Sequence, residues 1–133
     1  MIPKSLSNEH TQDSEPHLTI NPANNKQLVG TAFTPDPAGG VLAPIFLSSD
    51  GGASWRLNSI VPSVAGSIGT GDITTAFSGK ATTLYANILN AGNSHLQFLR
   101  TLNPFTPTPM TILADRPNAD QPFTHGRSPI AAE

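Results

Sequence analysis

Three acids recur along the chain, each just ahead of an apolar run: Glu15, Asp72 and Asp120, separated by 57 and 48 residues. If a repeating architecture gathers them, such carboxylates hold a cation or accept sugar hydroxyls, and mutual repulsion raises the pKa of one into the range of a general acid. Kept apart, each accepts backbone N–H groups at its own turn. A further carboxylate, Asp36, stands on a loop stiffened by Pro35 and Pro37. Arg116 falls in the same class of loop as Asp120, and its planar fork suits a carboxylate ligand. The other reactive side chains do not group. Tyr85 lies between Leu84 and Ala86 in a strand-like run, where a packed ring is expected. His10, His17, His95 and His125 are too far apart to form a local metal pair, so none is assigned as a ligand. Without cysteine there are no thiolate zinc sites, disulfides or cysteine nucleophiles. The glycine-rich run 66–71 precedes a strand-like run and no helix, so it lacks the context of a phosphate cradle and reads as a flexible loop. No metal and no cofactor is expected.

Composition limits what can position these groups. Seven cations spread against nine acids give a net charge of −2 and no basic cluster, so nucleic acid is not an expected partner. No apolar run approaches the ~20 residues of a bilayer-spanning helix, and no membrane partner is expected. The opening 1–14 is polar where an export signal would be basic and then apolar; the protein is not exported, or the segment that exported it is missing from this sequence. Thirteen prolines and eleven glycines in 133 residues leave little room for helices. Between them lie short runs rich in Val, Ile, Thr, Phe and Leu that predict strands at 17–20, 27–33, 43–48 and 54–61, again at 73–77, 83–89, 96–101 and 110–114, and at Phe123. The two sets align. Leu28 falls on Leu84, 56 residues on, and Phe46 on Phe98, 52 residues on, so the period is about 50 residues with four strands each time. Tandem units of this kind predict a β-propeller, each blade stacking on its copy; a sandwich of about eight strands with coincidental spacing is the alternative.

One stretch has a specific pattern. Ser48-Ser49-Asp50-Gly51-Gly52-Ala53-Ser54-Trp55 fits Ser-x-Asp-x-Gly-x-(Ser or Thr)-Trp throughout. In a tight hairpin Asp50 can accept backbone N–H groups, Gly51 and Gly52 can adopt positive φ, Ser48 and Ser54 can close the loop, and Trp55 can bury a large ring beneath it. The pattern resembles the Asp-box, or BNR repeat, of sialidase-like propellers, and Ser48, Asp50, Gly52, Ser54 and Trp55 are then structural. The run 13–33 is similar to the opening blade of bacterial members, and 115–124 to the entry of a further blade, so the resemblance covers about 12–125. The second unit has Arg100-Thr101-Leu102-Asn103-Pro104-Phe105 in place of the box.

The resemblance implies an all-β partial propeller: two four-stranded antiparallel blades plus the first strand of a third. The expected boundaries are a flexible segment at 1–12, blades at 13–71 and 72–119, and the start of a third at 120–133. Ligands of propellers usually sit where second-to-third-strand connections and inter-blade links meet. Here those are 34–41, 90–94, 62–71 and 115–121, with 12–15 entering the first blade, which makes Glu15, Asp36, Asp72, Arg116 and Asp120 the rim candidates. Similar sialidases use three arginines, an acid aspartate and a tyrosine polarised by a glutamate. Their Phe-Arg-Ile-Pro signature is absent, and of Arg56, Arg100, Arg116 and Arg127 only Arg116 reaches that rim, so no catalytic residue carries over. A closed six-bladed propeller needs about 300 residues. The expectation is a fragment of a sialidase-like glycoside hydrolase or carbohydrate-recognising protein, partnered by a glycan and by further blades of a longer chain or other chains. The alternative is a non-catalytic protein-interaction or assembly propeller.

Overall fold

Short connections force each apolar run to pair with the next in sequence, because the chain has no slack to carry it farther. The computed structural model describes residues 14–33, 42–62, 70–79, 83–90, 94–119 and 123–126. Eight strands form: β1 (Ser14–Ile20), β2 (Leu28–Phe33), β3 (Leu42–Ser48), β4 (Arg56–Pro62), β5 (Thr70–Phe77), β6 (Leu84–Asn90), β7 (Leu96–Thr101) and β8 (Thr111–Arg116). β1 to β4 make one antiparallel sheet in sequence order, and β5 to β8 make a second. The described residues contain no helix, so the chain is all-β as its punctuation predicts.

The two sheets share their register at the first turn, where Ile20 pairs with Leu28 and Phe77 with Leu84. They part from the sequence alignment at the third strand. Leu28 faces Ser48 and Leu84 faces Thr101, a separation of 53 residues and not 52. Phe46 therefore corresponds to Leu99. Because side chains alternate along a strand, that one-residue difference puts Phe98 on the opposite face, where its ring stacks on Tyr85 with centroids 5.5 Å apart. Ser54 and Trp55 precede β4 and belong to the turn, while Met110 precedes β8 and donates its N–H to Ile60 O at 2.8 Å.

The core lies between the sheets. Val29, Ile45, Leu47 and Ile60 from the first meet Ile73, Phe77, Leu84, Ile88 and Leu99 from the second. β5 packs across β1 and β2. Polar bonds pin this seam. Thr31 Oγ1 donates to Ile73 O at 3.3 Å, and Thr75 N donates to His17 Nδ1 at 3.3 Å. Burial holds the His17 pKa below the usual histidine value, in keeping with a neutral ring whose Nδ1 accepts. At the other side, Asn58 Nδ2 donates to Pro104 O at 2.6 Å and Thr106 O at 2.7 Å, and the Arg56 guanidinium lies 5.2 Å from the centre of the Phe105 ring.

The same cross-strand position is used again on the far face of the second sheet. His17 pairs with Thr31, and Thr74 pairs with Asn87 at the corresponding place. Asn87 Nδ2 donates to Phe123 O at 2.6 Å, and Thr74 Oγ1 to Thr124 Oγ1 at 3.3 Å. Residues 123–126 therefore lie against the second sheet as β5 lies against the first, so the second sheet is covered at β5 and β6 on both faces.

Candidate functional site

The two ends of the sheets do different work. At the end holding the β3–β4 turn, Ser48 Oγ donates to Asp50 Oδ1 at 2.8 Å and accepts from Gly52 N at 2.8 Å. Asp50 Oδ1 also accepts Ser54 N at 2.9 Å, its Oδ2 accepts Ser54 Oγ, and Trp55 Nε1 donates to Gly52 O at 3.1 Å. The path needs left-handed backbone at Gly51 and Gly52, with φ of +76° and +92°, where any side chain would be strained. Gly51 N donates to Lys26 O at 2.9 Å, fastening the hairpin to the neighbouring β1–β2 turn. Trp55 is half-buried beneath the loop.

Both carboxylate oxygens of Asp50 are engaged, which suits a staple and leaves no lone oxygen set aside for a reaction. The Ser54 hydroxyl and N–H, with the Ser48 hydroxyl, hold its pKa down to about 2. The folded value is below the unfolded one, so the stabilisation is present above the ordinary carboxylate range and is lost as pH falls toward 2. Asp50→Asn is expected to lower the melting temperature at neutral pH and to flatten its decline between about pH 5 and pH 2. Thermal melts of both proteins across that window check this. Identical acid limbs would show that the hairpin carboxylate does not contribute.

The opposite end carries the remaining predicted candidates. Glu15 and Asp72 were expected ahead of their strands; they lie inside β1 and β5, at bulges between Ser14 and His17 and between Thr70 and Ile73. An extra residue in each first strand lengthens it beyond the sequence pattern. Asp72 is half-buried. Arg116, expected in a connection, is the last residue of β8, exposed and opposite Leu96. β5 and β8 are the two edges of the second sheet, so three strand spacings hold Asp72 and Arg116 about 14 Å apart along the sheet. They do not form an ion pair. Asp36 and Asp120 lie outside the described residues, as do 1–12 and 127–133. Among the described residues no group of three or more histidines and acids is placed to hold a metal.

The same end brings together three residues that the sequence reading did not combine. His95 Nδ1 lies 2.6 Å from Asp115 Oδ1, and Gln97 Nε2 donates to Asp115 Oδ2 at 3.0 Å. The β7–β8 register sets Gln97 opposite Asp115. Residues 95 and 97 share a face of the chain by strand alternation, so the histidine reaches the same carboxylate. Gln97 is buried, 3 % exposed, whereas the His95 and Asp115 side chains are 33 % and 42 % exposed. The Gln97 amide first, then His95, hold the Asp115 pKa below the usual carboxylate value. The cluster thus offers a carboxylate kept ionised, an imidazole oriented by it, and a buried carboxamide, on β7 and β8 at the end of the second sheet away from the Ser48–Trp55 hairpin. The signal for it was the β7–β8 pairing; the residues are too distant in sequence for a spacing motif.

In comparisons with known proteins, the chain matches no family model, no curated protein and no solved structure.

Proposed function

We propose that the two sheets are consecutive blades of a sialidase-like propeller with a BNR hairpin, at 13–71 and 72–119, and that 120–133 opens a third. In this reading the chain is scaffold and part of the rim of a carbohydrate-recognising protein or glycoside hydrolase. The carrying observation is the repeated seam: β5 lies on the first sheet, and 123–126 on the second, through corresponding cross-strand pairs. A two-layer sandwich has no use for a third layer, and its Greek-key connections differ from the sequential order found in both sheets. The Ser48-to-Trp55 bonding supports the BNR assignment, since each residue type of the pattern has the partner its chemistry calls for.

Among the described residues one arginine, Arg116, lies at the rim end, too few for a three-arginine clamp. The expected activity is therefore glycan binding without sialoside turnover by this chain. Glycan-array binding together with a fluorogenic sialoside assay tests this. Binding without turnover is the expected pattern, and a blank array removes the carbohydrate reading. The second reading, an interaction propeller, draws on the edge strand β8, where Ile112 and Leu113 are both exposed. It predicts the blank array.

A further inference from the structure

We infer that the open pocket of the β7–β8 turn binds a carboxylate carried on a short apolar stem, with Arg100 as its countercharge. The pocket lies at the hairpin end of the second sheet, away from the rim, and does not depend on the carbohydrate reading.

The two hairpins begin alike and then part. By register Thr101 takes the place of Ser48, and Thr101 Oγ1 accepts Asn103 N at 3.3 Å as Ser48 Oγ accepts Asp50 N at 3.3 Å. Asn103 therefore stands where the first hairpin has its carboxylate. The neutral amide still holds the turn: Asn103 Oδ1 accepts Phe105 N at 3.0 Å, and Thr106 Oγ1 donates to Asn103 O at 2.9 Å. The second turn thus lacks the anion of the first, and it has a cation, Arg100, at the register position of Leu47.

Nothing in the second sheet neutralises that cation. No acid occurs from 73 to 114, Asp72 and Asp115 lie toward the other end of the sheet, and the Asp50 carboxylate is engaged within its own hairpin. The Arg100 side chain makes no hydrogen bond or ion pair with any described residue. Beside it opens a pocket of about 250 Å³, whose wall includes Arg100, Leu102, Asn103, Thr106, Thr108 and Thr111. The β7–β8 register sets Thr111 directly opposite Arg100, so the two side chains share a face. Leu102, Asn103, Thr108 and Thr111 are exposed, so the pocket is reached from solvent. Asn103 Nδ2 and the Thr108 and Thr111 hydroxyls also have no partner among the described residues.

This donor set selects the ligand class. One permanent positive charge among neutral donors matches a single negative charge, and the planar guanidinium fork fits a carboxylate in two parallel hydrogen bonds. A phosphate group, at about −1.5 to −2 near neutral pH, would keep part of its charge uncompensated. Leu102, 67 % exposed on the same wall, offers apolar surface to the carbons behind the carboxylate. The volume falls below the roughly 300–1,000 Å³ that encloses a drug-sized ligand, so the bound group is small.

The experiment is an NMR titration of the 15N-labelled chain at neutral pH with butyrate and with the blocked acidic residue N-acetylglutamate α-amide, against butyramide and inorganic phosphate as controls. Butyrate or the blocked residue should move the Arg100 Nε–H signal together with the backbone amides of Leu102, Asn103 and Thr111. The tighter of the two tells whether the carboxylate arrives as a free acid or on a peptide. Arg100→Gln should weaken binding at least tenfold, and Thr111→Val, which keeps a β-branched side chain without the hydroxyl, several-fold. Both variants should melt close to the parent, since neither side chain belongs to the core. Butyramide binding as tightly as butyrate, phosphate binding more tightly than either carboxylate, or unchanged affinity in Arg100→Gln overturns the site. So does the absence of shifts at the turn with both carboxylates. Should Arg100→Gln not fold, Thr111→Val and the location of the shifts in the parent protein decide. None of these outcomes bears on the glycan array, so the two readings stand or fall separately.

Discussion

Leu84→Ala is expected to lower the unfolding free energy by about 2–5 kcal/mol, the range for removing a large aliphatic side chain from a packed core. Leu84 is fully buried and pairs with Phe77 on one side and Thr101 on the other. It belongs to the core cluster shared with Val29, Ile45 and Leu47 across the seam, so the cavity would be lined by both sheets. Neither sheet can close it without sliding on the other. In urea a loss of this size moves the midpoint by roughly 1 M or more. The chain has one tryptophan, Trp55, and it lies in the first sheet, whereas the lesion is in the second. Its fluorescence transition should move with the far-ultraviolet circular dichroism transition, because the seam makes the sheets one cooperative unit. A Trp55 transition left in place while the dichroism shifts would show that the sheets unfold separately.

Gly126→Ala should release residues 123–126 from the second sheet. A Cβ at this position would stand 2.1 Å from Phe77 O and 3.0 Å from Phe77 C, with Ala76 Cβ at 3.4 Å. The main obstacle is backbone in a paired strand, and it cannot rotate away as a side chain would. Hydrogen exchange is expected to speed at least tenfold for 123–126, while β6 and β7 keep their protection. The Asn87 contact to Phe123 O at 2.6 Å would be lost with it. Unchanged protection at 123–126 would mean that this stretch does not depend on the close approach, and the repeated seam would lose its second instance.

The positions of the strands were legible because prolines, glycines and asparagines interrupt the apolar runs at every turn. The hairpin from Ser48 to Trp55 was legible because the side-chain bonds of Ser48, Asp50, Ser54 and Trp55 all close within seven residues. What escaped was whatever depends on register. Matching Phe46 to Phe98 looked natural by residue type, but hydrogen bonding matches Phe46 to Leu99, and one step reverses the face. The bulges at the starts of β1 and β5 add residues that no apolar pattern marks, which is why Glu15 and Asp72 lie within strands. The His95–Asp115 pair spans 20 residues and meets only after β7 and β8 have paired around the turn between them.

The seam has a property of its own. Thr31, Asn58, Arg56 and Asn87 all donate to peptide oxygens of the layer they touch: Ile73, Pro104 and Thr106, Phe105, and Phe123. A main-chain oxygen is present whatever residue bears it, so the receiving layer is under little pressure to keep its amino acids. Units joined in this way can be duplicated and then drift apart in sequence while still docking, and a lineage of them would preserve its geometry long after its members had ceased to look alike.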